Sequence, residues 1–174
     1  MKLRRRNMAR IPMRRKDREV TDFEKIVKII DQCDILRLGI ADGDYPYIVP
    51  VNFAYTVEGE QICFYIHGAT AGRKYELLKK NPVCSFELDL NHGLKLMPEK
   101  RDITTRYASV MGEAKVEFLE GEEKRRVIEE IVLDRSEMTR NFNYMNENLP
   151  VTAVIKLTVT DFSAKSNIKG EADI

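Results

Sequence analysis

Within nine residues, the stretch Ile66-His67-Gly68-Ala69-Thr70-Ala71-Gly72-Arg73-Lys74 sets one histidine, a run of small residues and two adjacent cations side by side. An apolar run ends at Ile66, and a helix-like run begins at Arg73. A helix start leaves backbone N–H groups free and carries the positive end of the helix dipole, so the pair of cations adds charge where charge already accumulates. Small residues before it allow close backbone approach. That chemistry suits a terminal phosphate. An ordinary strand-to-helix connection with a solvated Arg-Lys pair has the same pattern, and spacing alone does not separate the two. The stretch is neither GxxxxGK[ST] nor GxGxxG, so nucleotide hydrolysis and a Rossmann fold lose support. His67 has the right ordinary pKa, ~6.5, to relay a proton. The plain alternative is a strand-end histidine that only shapes a pocket.

The elements that must hold this stretch read as follows. Thr21 to Asp34 predicts a helix, with Thr21 and Glu24 at capping-box spacing and Phe23, Ile26, Val27 and Ile30 on one stripe. Ile35–Ala41, Tyr47–Thr56 and Gln61–His67 predict three strands separated by Asp42-Gly43-Asp44 and Glu58-Gly59 turns, an antiparallel meander. Pro46 and Pro50 cannot donate to a ladder, which puts the second of these at an edge, at a bulge or beside a ligand. Arg73–Lys80 predicts a short helix stopped by Asn81-Pro82, followed by a strand over Val83–Leu90. Asn91 to Thr104 reads as a long polar loop. Tyr107–Phe118 and Val151–Thr160 read as strands, Leu119–Asp134 as an amphipathic helix and Glu137–Asn146 as a shorter one. About six strands and three helices make a mainly β fold, a small β-barrel with helices attached.

Composition sets the outer bounds. With 174 residues, 43% hydrophobic and 33% charged, the chain suits one globular domain. The longest uncharged stretch, Tyr45–Val57, is broken by two prolines and an asparagine, which argues against a spanning helix. Charge is uneven: of 29 basic residues nine lie in residues 1–18, against one acid there. Such an arm fits nucleic acid or an anionic surface, but it also fits a plain extension ahead of a start at Met8 or Met13, and nucleic acid is not the expected partner. It lacks the continuous apolar core of a secretory signal. Three cysteines, Cys33, Cys63 and Cys84, show no CxxC spacing and read as reduced thiols of a cytoplasmic protein. Cys63, His67 and His92 do not make a convincing zinc set, and no metal is expected.

Four runs together carry a resemblance: Arg14-Arg15-Lys16-Asp17-Arg18-Glu19, Pro46-Tyr47-Ile48-Val49-Pro50-Val51-Asn52-Phe53, His67-Gly68-Ala69 with Gly72-Arg73-Lys74, and Asn81-Pro82-Val83-Cys84. In this order, over about Met13 to Lys165, they resemble the pyridoxamine-phosphate-oxidase-related flavoproteins, and within them the nitroimidazole-resistance (Nim) branch. The resemblance implies an FMN-binding split β-barrel, a six-stranded antiparallel Greek-key-like barrel with about three helices. It implies a homodimer with flavin at the subunit interface. Residues 1–18 then read as a basic arm, 19–165 as the FMN-binding domain and 166–174 as a tail.

Carried onto this chain, the resemblance gives Arg73 and Lys74 the FMN phosphate. Val49, Pro50, Val51 and Asn52 lie along the flavin ring, with His67 beside it as the candidate catalytic residue. Gly68 and Ala69 approach the ring or ribityl chain, and Ser109 makes a polar flavin contact. Gly72 stands where the true oxidases have a serine, so backbone or Thr70 must replace that hydroxyl. Val151–Ile174 lacks the oxidases' substrate-binding Arg-x-His, so vitamin B6 oxidation is not expected. His67 is followed by Gly68 rather than the serine common in the Nim branch.

Two functional classes follow. One is an FMN-dependent oxidoreductase passing electrons from a reduced nicotinamide or similar donor to a small acceptor, a nitroaromatic, a quinone or another flavin. The other is a flavin- or haem-binding carrier or sensor without turnover.

Overall fold

The computed structural model describes residues 12–132 and 146–168. The helix expected over Glu137–Asn146, except its last residue, and the first eleven residues of the basic arm lie outside them. A short turn over Lys16–Arg18 leads into β1 (Glu19–Val20), α1 (Phe23–Asp31), β2 (Leu36–Ile40), β3 (Tyr47–Val51), β4 (Ala54–Glu58) and β5 (Gln61–Ala69). Then come α2 (Arg73–Lys80), β6 (Val83–Met97), β7 (Asp102–Leu119), α3 (Gly121–Val127), which runs on as a π turn over Ile128–Val132, and β8 (Thr152–Ser166).

The strands form one antiparallel sheet in the order β3-β2-β6-β7-β8-β5-β4, with β1 against β8. Its two ends, β3 and β4, are consecutive in the chain and separated only by Asn52 and Phe53. The three Cα steps from Val51 to Ala54 span at most about 11 Å, so the sheet must roll until its edges nearly meet. The barrel stays split there, because β3 and β4 pair with their other neighbours and not with each other. The fold is therefore the expected split β-barrel. The expected single strand Tyr47–Thr56 becomes two strands at opposite sheet ends because Phe53 turns inward at the corner and is buried. With β1, this raises the strand number among the described residues to eight.

Alternation builds the interior. Leu36, Leu38 and Ile40 from β2 meet Ile62, Phe64 and Ile66 from β5 and Phe86 and Leu88 from β6, all buried. Phe64 sits at the centre, edge-on to Phe53 at 5.5 Å and to Phe86 at 5.1 Å between ring centroids. Helix α1 adds Ile26, Ile29 and Ile30 to this core. Its N-cap is Asp22, whose carboxylate accepts from the Glu24 and Lys25 N–H groups, one residue later than the Thr21 box expected from spacing. The outer face of β5 packs on α3, where Tyr65, Leu119, Val127, Ile128 and Val154 make a second, smaller cluster.

The expected loop over Asn91–Thr104 is instead most of a β-hairpin. β6 and β7 pair from Val83↔Lys115 out to Met97↔Asp102, and only Pro98–Arg101 turns. Polar residues there conceal a strand because the hairpin runs past the barrel, with solvent available to both faces. At the other end, β7 crosses β8 with a register shift at Glu113/Ala114. Gly112 is required at that crossing: an added Cβ would collide with the Asp161 carbonyl and stand 2.9 Å from the Phe162 Cα.

Candidate functional site

The β5–α2 junction brings most of the sequence-predicted residues together. β5 ends with His67, Gly68 and Ala69, paired to Val154, Ala153 and Thr152 of β8. Thr70 and Ala71 are exposed. Gly72 takes φ 109°, a conformation that side chains disfavour, and so turns the chain sharply into α2. No side chain caps this helix, so its first N–H groups keep their capacity for a ligand.

The two cations differ in what they already hold. The Arg73 guanidinium donates from Nε to the Asp42 carboxylate at 2.7 Å and lies over the Tyr47 ring, 4.7 Å from its centroid. It is paired, stacked and exposed. Lys74 has no carboxylate partner among the described residues. Its ammonium stands over Gly68, 3.5 Å from where a Cβ would be, and burial pulls its pKa below the ordinary lysine value. A partly buried ammonium without a counter-ion is costly to keep charged. An incoming anion relieves that cost, which is the physical mark of an anion site rather than a solvated surface pair.

His67 feels the same charge. Its ring is accessible, yet the surrounding protein first, and the Lys74 ammonium second, hold its pKa below the ordinary histidine value. The imidazole is therefore neutral at pH 7 and able to accept a proton. Donor groups and dipole suit a terminal phosphate, and the neutral base beside them suits proton transfer.

Sequence reasoning missed Asp42, which reads locally as a turn residue. Nothing in the spacing signals that a carboxylate 31 residues upstream positions Arg73; the β2–β3 turn alone brings it there. Tyr47, at the start of β3, carries Arg73 on its face. Through that contact β3 adjoins the junction. Val49 and Val51 turn inward to the core, whereas Pro50 and Asn52 are exposed. Among the described strands β3 is an edge strand, paired to β2 alone, one of the placements that Pro50 allows. Ser109 is not part of this cluster. The register sets His67 level with Val154 and Leu119, and Ser109 lies ten residues away along β7, about 33 Å of extended strand.

An antiparallel split barrel, with an uncapped helix start and a half-buried lysine at its strand-to-helix junction, defines the class. Residues 22–166 match the family described as pyridoxamine 5'-phosphate oxidase, and the chain belongs to that family. Among solved structures, it is similar to a candidate 5-nitroimidazole antibiotic resistance protein from Bacteroides thetaiotaomicron. There the identity is 31% over 84% of this chain and 85% of that one, with a TM-score of 0.72. A flavocytochrome from Azotobacter vinelandii shares 22% identity over 93% of this chain and 77% of that one, at TM-score 0.68. An FAD- and haem-binding protein from Mycobacterium smegmatis shares 17% over 88% and 74%, at TM-score 0.72; these two show the fold alone. A search of the curated proteins finds no match. No helix among the described residues is long and apolar enough to cross a membrane.

Proposed function

We propose that this chain binds FMN at the β5–α2 junction and acts as an oxidoreductase on a small acceptor. The observation that carries the reading is Lys74, a half-buried ammonium with no carboxylate partner among the described residues, beside the uncapped start of α2 and the neutral His67. Lys74, the N–H groups of α2 and the exposed hydroxyl of Thr70 take the phosphate. Arg73, steered by Asp42 and Tyr47, closes its outer side. Gly68, Ala69 and Gly72 leave room for the ribityl chain. The β3 edge, from Val49 through Pro50 and Val51 to Asn52, lines the ring with backbone groups and one amide. Bound there, FMN supplies the electron transfer; the protein positions it and holds charge and protons. His67 accepts or returns a proton at its imidazole.

The donor in this reading is a reduced nicotinamide or similar carrier, and likeness to the nitroimidazole-resistance protein favours a nitroaromatic acceptor. A homodimer follows from the same reading. Ser109, remote from Lys74 within one chain, then contacts flavin only across the subunit interface.

An absorption spectrum of freshly purified protein is the test. Flavin bands near ~450 nm that bleach anaerobically with reduced nicotinamide and recover with a nitroimidazole support the reading. A colourless protein that refuses added FMN overturns it. A Soret band transfers the site to haem and the protein to the carrier or sensor class.

A further inference from the structure

The β6–β7 hairpin extends beyond the barrel. β2 pairs with β6 only at Ser85–Glu87, and β8 leaves β7 at Ala108, so among the described strands Leu94–Met97 and Asp102–Thr105 pair only with each other, with the Asn167 amide reaching Thr104 and Thr105 at the ribbon's base. A two-stranded ribbon in water is marginal on its own. This one carries three large apolar side chains, Leu94 and Leu96 at 70% exposure and Ile103 at 51%.

A bulge decides which way they face. Along β6 the even-numbered residues Cys84, Phe86 and Leu88 point into the barrel. Between Asn91 and Leu94 the register shifts by one residue, at Gly93 with φ 82°. An extra residue reverses the alternation. Leu94 and Leu96 therefore stand opposite Thr105 and Ile103, on the face that β7 continues through Tyr107, Ser109 and Met111. The ribbon's apolar side is thus an extension of the outer sheet face.

That outer face holds a groove of about 540 Å³ across β3, β2, β6 and β7. Its floor is small, Gly39, Ser85 and Gly112, and Ile48 and Met111 rise from it, 64% and 48% exposed. Charge there is acidic on balance: Glu87 and Asp89 share Arg37, and Glu113 adds a further carboxylate. Over the ribbon Lys95, Lys100 and Arg101 outnumber Glu99 and Asp102, and Lys100 and Arg101 sit at its turn. One surface offers apolar side chains tipped with positive charge; the other offers an apolar groove rimmed with negative charge. Both are on one face of one chain, so two copies satisfy each other reciprocally about a two-fold axis.

We infer that the bulge-turned ribbon is an arm by which each copy of this chain clasps the other, seating Leu94, Leu96 and Ile103 in the partner's outer-face groove. The inference rests on the homodimer proposed above and adds the surface that makes it. Light scattering at micromolar concentration compares the wild-type chain with a Leu94→Thr, Leu96→Thr, Ile103→Thr variant. The expected result is a wild-type dimer and a variant with unchanged circular dichroism whose dimer dissociation constant is raised at least ~30-fold.

A second variant, Leu96→Cys with Met111→Cys, decides the matter if the first fails to fold. Ile103, the cross-strand partner of Leu96, is eight residues from Met111 along β7, about 26 Å of extended strand. No disulfide forms within one chain at that distance. A covalent dimer under oxidation is the expected product. A folded triple variant that dimerises as tightly as wild type, or the absence of a cross-link, overturns the arm and leaves the homodimer standing. A monomeric wild type overturns both.

Discussion

Gly112 and Gly68 are both strand glycines, but one is closed in and the other open. At the β7–β8 crossing, backbone fills the space a Cβ would need beside Gly112. At the β5–α2 junction, what faces Gly68 is the end of the Lys74 side chain, at ordinary contact distance. The first glycine lets two strands approach, and the second lets a charge sit over a strand where a ligand can reach it. Rigid neighbours mark a residue the fold requires; a movable charged neighbour marks one the site requires.

Gly112→Ala is the largest break in this comparison. The Asp161 carbonyl and Phe162 Cα belong to β8, whose register with β7 is fixed on both sides of the crossing. Overpacking against backbone costs about 1–3 kcal/mol or more, so a variant that folds at all should melt several degrees lower. An unchanged melting temperature would show that the strands part easily. Phe64→Ala gives the scale for the interior, about 3–5 kcal/mol for an aromatic lost from a packed core.

Lys74→Ala should leave the melt nearly unchanged and strike binding instead. Losing a charge-assisted contact of about 1.5–3 kcal/mol weakens FMN roughly 10- to 100-fold. Riboflavin, which lacks the phosphate, should bind as before, and titration of both flavins against both proteins reads the difference. Equal losses would remove the phosphate assignment. Arg73→Ala should cost less, because Asp42 already occupies that guanidinium and solvent screens it.

The contrast between local and non-local signals also explains what could be read in the sequence. The α2 boundaries were legible, and the edge position of β3 was one of three placements the sequence allowed, because Gly72, Asn81-Pro82, Pro46 and Pro50 act on their own residues. The split of β3 from β4 was not, since it depends on Phe53 finding the core from the corner. Nor was the β6–β7 ribbon: its strands are made by pairing with each other, and a bulge then reverses the face on which Leu94 and Leu96 lie. Asp42 reaches Arg73 only once β2 and β3 have folded. Ser109 came from resemblance, and in one chain it stands far along β7 from Lys74.

The pH dependence sharpens the reading of Lys74. Burial favours the neutral amine, so in the free protein this lysine loses its proton below the ordinary value of 10.5. A phosphate dianion favours the ammonium, so FMN affinity should fall as pH rises through the lowered pKa, earlier than an exposed lysine would allow, while riboflavin affinity stays flat. His67 adds an acid limb to stability. Its folded pKa lies below the unfolded 6.5, so the unfolded chain binds the proton more readily. Its contribution is complete above about pH 6.5 and is lost as pH falls below.

Gly68→Ala is the smallest expected effect and the finest test of the comparison. The new methyl meets only the Lys74 Nζ, at 3.5 Å, so the side chain can yield, and a strand gains from replacing glycine. The melt should hold or rise slightly. The ammonium need not move, but the methyl fills the approach between it and the strand, and FMN affinity should drop by a few-fold while riboflavin binding changes less. A fall in stability with no selective loss of FMN would mean that Gly68, like Gly112, serves the packing of the strands, and that the ammonium above it is held by the fold rather than for a ligand.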